Sequence, residues 1–249
     1  MFKSTAIFSH LKMASLAIDV HTHIYLPRYM DILRSRKIVP RILPGVDEVG
    51  DERYVILPGE DIDSSTSKGR PVGSEFWDPA RKLAFMDTHG IEISVLSLAN
   101  PWLDFAAPEE AAALAVELNN DMHNLCTSAS SAGRFYGFGI LPTSDPAACA
   151  GELRRLMALD RMRGVILSAR GLGSGLDDRA LDEVWATAEE LDATIFIHPH
   201  YGIGQVLPHK LGLLTNSKSR LFCVEDQAST FVINATINPH LAASSCLFA

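Results

Sequence analysis

Two histidines two residues apart, His21 and His23 in Asp19-Val20-His21-Thr22-His23, are the first residues whose types and spacing point to chemistry. They follow a short apolar run, Leu16 to Val20, that reads as a buried strand. Side chains two apart in a strand share a face, so both imidazoles can offer nitrogen to one metal ion at the strand's carboxyl end. The alternatives are two exposed loop histidines or a core pair. A second group, Ile195-Phe196-Ile197-His198-Pro199-His200, has the same character. Pro199 cannot donate to a ladder, so His198 ends its strand and is a candidate third nitrogen ligand. His200 either lines such a site or stabilises the loop.

Asn100 follows another apolar run, in Leu98-Ala99-Asn100-Pro101-Trp102, where its amide can hydrogen-bond a substrate oxygen or serve as the turn residue before a proline. Arg70, in Lys68-Gly69-Arg70-Pro71, is a guanidinium able to clamp a carboxylate bidentately, or an ordinary solvated arginine. Gly171-Leu172-Gly173-Ser174-Gly175 lacks both the Walker ending and the dinucleotide pattern and reads as a flexible loop. His89, His123, His209 and His240 have no partner pattern, and no GxSxG elbow marks a serine hydrolase. Phe105, Trp102 and Tyr201 are aromatics able to stack on a planar ring, or simply to pack.

These residues need a scaffold, and the sequence supplies one. Short apolar runs at Leu16 to Val20, Ile93 to Leu98, Phe135 to Leu141, Gly164 to Leu167 and Thr194 to Ile197 read as five buried strands. Between them, Pro79 to His89, Pro108 to Ser131, Asp145 to Leu159 and Asp177 to Leu191 read as helices. Alternation of this kind implies α/β architecture with a parallel sheet covered by helices. Residues 25–77, rich in Pro, Gly, Asp and Ser, read as an insertion over one end of the sheet, and residues 1–15 as a leader. An eight-unit barrel needs three more units of about 30 residues after His198. The chain is too short for them, and residues 212–249 are rich in Ser, Asn and Thr, so the barrel portion is expected to span 16–211 and to be incomplete, followed by a divergent tail.

Composition narrows the partners. With 249 residues and 47% hydrophobic content the chain can bury a sizeable core. A net charge of −8 with no Lys/Arg-rich run argues against nucleic acid or an anionic membrane and favours a small-molecule substrate. No apolar stretch is long enough to suggest a membrane span. The four cysteines are widely spaced, which fits a reducing, cytoplasmic location, and Cys126 and Cys149 fall in helices as small core residues.

Taken in order, Asp19-Val20-His21-Thr22-His23, Phe85-Met86-Asp87-Thr88-His89-Gly90-Ile91, Ser97 to Trp102, Gly171 to Asp178 and His198-Pro199-His200-Tyr201-Gly202 resemble the amidohydrolase superfamily. Within it they are most similar to the aminocarboxymuconate-semialdehyde decarboxylase group, and closest to 5-carboxyuracil (iso-orotate) decarboxylases. The resemblance implies a TIM-type (β/α)8 barrel of the metal-dependent hydrolase kind with one divalent ion, zinc or else manganese, no organic cofactor, and a homodimeric assembly. Carried over, His21, His23 and His198 match metal ligands, and Arg70 and Asn100 match positions that hold the substrate's carboxylate and ring oxygens. The implied reaction is non-oxidative decarboxylation of an aromatic or pyrimidine carboxylate. The family's histidine after the sixth strand and aspartate after the eighth have no counterpart, Asp226 and His240 having the wrong surroundings, so the catalytic acid is unassigned. Two other readings stand beside it: a metal-dependent amidohydrolase or lactonase, and a truncated, inactive product of such a gene.

Overall fold

The computed structural model describes residues 16–45, 52–56, 69–168, 171–172, 175–198, 220–223 and 231–234. Five parallel strands run in sequence order across one sheet: β1 (Ile18–Ile24), β5 (Ile93–Leu98), β6 (Phe135–Ile140), β7 (Met162–Ser168) and β8 (Thr194–His198). Strands β2 (Arg41–Leu43), β3 (Arg53–Val55) and β4 (Arg70–Pro71) form a small separate antiparallel sheet inside the insertion. The insertion also holds α1 (Pro27–Ser35) and α2 (Ser74–Trp77). It is therefore more regular than its composition implies.

Between the parallel strands lie α3 (Pro79–His89), α4 (Pro108–Thr127), α5 (Pro146–Met157) and α6 (Asp182–Glu190). Three of these helix starts have a local cause. Proline stands in the first turn of α3, α4 and α5, where its missing N–H costs nothing. Asp78 caps α3 by accepting from the Ala80 amide, and Gly90, at φ 67°, closes the other end in the left-handed region. On α4 the buried residues Ala111, Ala115, Leu118, Met122 and Cys126 recur at helical spacing and form the face laid on the sheet. Repetition of this unit, with β5, β6 and β7 almost wholly buried and β1 half-buried, produces a curled five-strand portion of a (β/α)8-type barrel.

Several boundaries differ from the sequence expectation, three of them by more than two residues. The first strand does not end at Val20 but runs through Ile24, so His21 and His23 lie within it; its pairing with β5 shifts register between Asp19 and Thr22. The helix expected to reach Ser131 stops at Thr127 and gives way to a 3-10 turn at Ala129–Ser131. In the fourth unit, 3-10 turn Arg179–Leu181 replaces the expected first helical turn. Beyond β8, the strands β9 (Arg220–Cys223) and β10 (Phe231–Asn234) pair with each other antiparallel, and β10 pairs antiparallel with β8. The tail thus contributes two strands that continue the sheet. No helix among the described residues is long and apolar enough to cross a membrane.

Candidate metal centre

β1 and β8 bring His21, His23 and His198 together, the first two from within β1 and His198 as the last residue of β8. Ring centroids lie 5.1 Å apart for His21 and His23, 5.2 Å for His21 and His198, and 5.0 Å for His23 and His198, all edge to face. One nitrogen from each ring falls within 4.8 Å of its counterparts, close enough for all three to converge on one ion. Among the described residues no Cys, Asp or Glu shares this cluster.

The electrostatics suit ligation. Burial lowers the pKa of His21, with the Asp19 carboxylate opposing it. His23 is pushed down to about 3, by burial first and then by the charges of His198, His21 and Lys82, against hydrogen bonding to Ser97. Both rings are therefore neutral at pH 7 and keep a lone pair for a metal, which protonation would remove. Neutral imidazoles are a donor set suited to zinc or a similar divalent ion.

Neighbouring residues fix the rings. The His21 amide donates to Asp19 Oδ1 at 2.9 Å, which holds the irregular stretch of β1 in shape. Nδ1 of His23 lies 2.9 Å from Ser97 Oγ, and Ser97 is its in-register neighbour on β5. Ser168, also buried, is the in-register neighbour of His198 on β7. The Lys82 ammonium of α3 donates to Thr22 Oγ1 at 3.3 Å, and burial lowers its pKa while Asp19 and Glu75 oppose that. Beneath the cluster Phe196 meets His21 edge-on at 5.2 Å, and Phe138 stacks on Phe196 at 5.5 Å. Trp102 is buried with its ring edge-on to His198 at 5.7 Å, and its Nε1 donates to the Leu98 carbonyl.

Arg70 and Asn100 are placed through the insertion. Arg70 is exposed on β4, paired with Tyr54 on β3. The Tyr54 hydroxyl donates to the Asn100 carbonyl at 3.0 Å, and the Tyr29 hydroxyl to the Trp102 carbonyl at 2.9 Å. These bonds dock the small sheet and α1 on the turn that follows β5. Tyr25, directly after β1, has its phenol pKa raised by burial and drawn back by Arg70, and its ring meets that of Tyr54 at 5.6 Å. Both residues therefore reach the end of the sheet that carries the histidines, but neither joins the cluster.

Other candidates lie apart from this centre. His89 packs on Phe85, and His123 Nδ1 contacts the Asp160 carbonyl. Burial pushes the thiols of Cys126 and Cys149 up to about 12, so both are core residues and not nucleophiles. Phe105 lies under the Arg36 guanidinium, 4.2 Å from its ring centre. Gly173, Ser174, His200, Tyr201, His209, Asp226 and His240 lie outside the described residues, as does the expected leader. Sequence reasoning passed over Ser97, Phe138 and Phe196. Parity back from His198 points to Phe196, whereas Ser97 and Phe138 emerge only from cross-strand register and curvature.

A curled parallel sheet with three histidines converging from its first and fifth strands is an arrangement of the amidohydrolase barrel kind. Comparison with known proteins agrees: the Amidohydrolase family profile matches residues 18–232, and the chain belongs to that family. It is 28% identical over 192 residues to 2-amino-3-carboxymuconate-6-semialdehyde decarboxylase of Dictyostelium discoideum, covering 77% of this chain and 51% of that protein. With gamma-resorcylate decarboxylase of Rhodococcus jostii it shares 30% identity over 154 residues, 54% of this chain and 46% of the relative. Among solved structures, apo IDCase of Metarhizium anisopliae superposes with a TM-score of 0.68 at 37% identity, over 82% of this chain and 53% of that one. A manganese-bound 5-carboxyvanillate decarboxylase of Novosphingobium aromaticivorans shares the fold, with a TM-score of 0.57 at 23% identity, over 76% of this chain and 51% of that one. The chain spans about half the length of the curated relatives it matches.

Proposed function

We propose that this chain carries the metal-binding and substrate-orienting residues of a non-oxidative decarboxylase acting on an aromatic or pyrimidine carboxylate. The observation that carries the reading is the convergence of three imidazole nitrogens, two from β1 and one from the end of β8, within 4.8 Å. The decarboxylase names of its relatives support it. His21, His23 and His198 would hold one divalent ion, zinc as first choice and manganese as second. When bound, that ion supplies positive charge against the substrate's carboxylate and neighbouring oxygen.

The chain's own residues do the rest. Arg70 takes the carboxylate in a bidentate clamp and Asn100 donates to a ring oxygen. The buried Phe196, Phe138 and Trp102 keep water from the inner side of the histidines. In the reaction the carbon–carbon bond to the carboxylate breaks, its electron pair stays on the ring carbon, a proton takes the vacated position and carbon dioxide leaves. No external oxidant or organic cofactor is needed. A cytoplasmic homodimer that binds neither nucleic acid nor membrane completes the reading.

The test is carbon dioxide release from carboxyuracil, salicylate-type and vanillate-type acids by zinc- or manganese-loaded protein, with Arg70→Ala and His21→Ala beside it. Release that vanishes in His21→Ala and shows a KM raised about tenfold or more in Arg70→Ala supports the proposal. Hydrolysis of lactones or amides without carbon dioxide release would favour the hydrolase reading, since hydrolysis needs no carboxylate clamp. Metal binding with neither activity would leave an inactive relative.

A further inference from the structure

Ser97 is fully buried on β5, directly across from His23 in the parallel register of β1 and β5. Its hydroxyl donates to the Thr22 carbonyl at 3.3 Å, and the same oxygen lies 2.9 Å from Nδ1 of His23. A serine hydroxyl has one proton and two lone pairs. With that proton directed at Thr22, the short contact to the imidazole is one in which Nδ1–H donates and Oγ accepts. The other nitrogen, Nε2, is then the one with a free lone pair.

We propose that Ser97 is the positioning residue of the metal centre: it locks His23 in the Nδ1–H tautomer and leaves Nε2 as the metal-binding atom. The proposal rests on the metal reading of the three histidines and adds to it a residue that touches neither metal nor substrate. The physical logic is general. A ligating imidazole whose second nitrogen is held by a fixed acceptor enters the complex already in the right tautomer and orientation, and loss of such a partner costs about 10–100-fold in metal affinity. The bond network makes the assignment specific to Ser97. Thr22 lies one residue before the ligand, so its carbonyl orients the hydroxyl from the histidine's own strand.

The experiment compares the parent chain with Ser97→Ala, which removes the acceptor, and Ser97→Thr, which keeps it. In the metal-free protein at pH 7.5, two-bond proton–nitrogen correlation spectra report the tautomer of His23, assigned by its disappearance in His23→Gln. Zinc affinity is measured by competition with a chromogenic chelator. The expected result is an Nδ1–H tautomer in the parent, a mixture of tautomers and about 10–100-fold weaker zinc binding in Ser97→Ala, and recovery of both in Ser97→Thr. A parent His23 that is itself mixed or Nε2–H overturns the proposal without recourse to any variant. So does a Ser97→Ala protein that keeps the tautomer and binds zinc as well as the parent. A parent chain that binds no zinc overturns the metal reading itself, which separates that failure from the failure of Ser97 alone.

Discussion

His21 and His198 meet edge to face with ring centroids 5.2 Å apart, although they stand on the first and fifth strands of the parallel sheet. Four inter-strand steps of about 4.8 Å would separate those strands by about 19 Å in a flat sheet. The contact exists because the sheet curls, and the curl comes from strand twist together with helices laid on the outer face. The three-histidine cluster is therefore a property of the assembled fold and is absent from any single strand or hairpin. An ion bound there must be coupled to folding.

The first prediction follows from that coupling. A ligand that binds only the folded chain stabilises it by about 2.7 kcal/mol at a concentration one hundred times its Kd. At about 2–4 °C per kcal/mol for a chain of this size, zinc should raise the Tm by about 5–10 °C. His21→Ala with His23→Ala should abolish the rise, as read by differential scanning fluorimetry with and without a chelator. A double variant that still responds fully to zinc would place the ion elsewhere.

Stability of the metal-free chain should fall with acid from the histidines alone. His23 has a folded-state pKa of about 3 against 6.5 when exposed, and that of His21 is lowered too. Between about pH 6.5 and 3 the unfolded chain binds a proton that folded His23 refuses, so stability is fully present above 6.5 and is lost as pH falls through this window. The expected slope from His23 is up to about 1.4 kcal/mol per pH unit. Urea denaturation at pH 7.5 and 5.5 checks it, and His23→Gln should flatten the difference. An unchanged slope in that variant would assign the acid sensitivity to other groups.

How much of this was legible in the sequence depends on the range over which each feature is determined. α3 and β5 are readable to the residue, because proline, the Asp78 cap and Gly90 mark the helix locally and the strand is one unbroken apolar run. The histidines are readable from residue type and strand parity. Ser97 is not, since its meaning depends on register with β1. The two- and three-residue strands β2, β3 and β4 carry too short a pattern to be seen and are held by pairing and by the tyrosine bonds to the turn after β5. In the tail, Leu221-Phe222-Cys223 and Phe231-Val232-Ile233 are short apolar runs that the surrounding polar composition conceals.

Asn119 should be the most costly polar residue to remove from the helix layer. Its amide donates to the Ile140 carbonyl at 2.9 Å and to Glu152 at 2.6 Å, while its oxygen accepts from the Ile140 amide at 2.8 Å. α4 is thereby fastened to the carboxyl end of β6, and Arg155 completes the network by pairing with Glu152. Asn119→Ala strands both backbone groups of Ile140 in the core, at a cost of about 2–4 kcal/mol. Asn119→Asp should be worse at pH 7.5 than at pH 5.5, because it sets a second carboxylate against Glu152. Urea midpoints for the two variants decide this, and a loss under about 0.5 kcal/mol for Asn119→Ala would show that solvent replaces the network.

Gly164 and Gly151 make opposite predictions from the same substitution. Gly164 sits on β7 at φ 142°, opposite Thr194 on β8, and a Cβ there would lie 1.8 Å from the Thr194 carbonyl oxygen. No side-chain rotation relieves a clash with backbone, so Gly164→Ala must push β7 and β8 apart or break their pairing. Because β8 ends in His198, the same movement pulls one histidine out of the cluster. Gly151 lies inside α5 with nothing within 4 Å of an added Cβ. There alanine removes backbone freedom from the unfolded chain and should stabilise by about 0.5–1 kcal/mol. The paired measurement is Tm and zinc stoichiometry for both variants. Gly164→Ala is expected to be poorly soluble or to lose at least about 3 kcal/mol together with its zinc, while Gly151→Ala gains stability and keeps it. A Gly164→Ala protein with parental Tm and full zinc content would refute the close approach of the two strands on which the position of His198 depends.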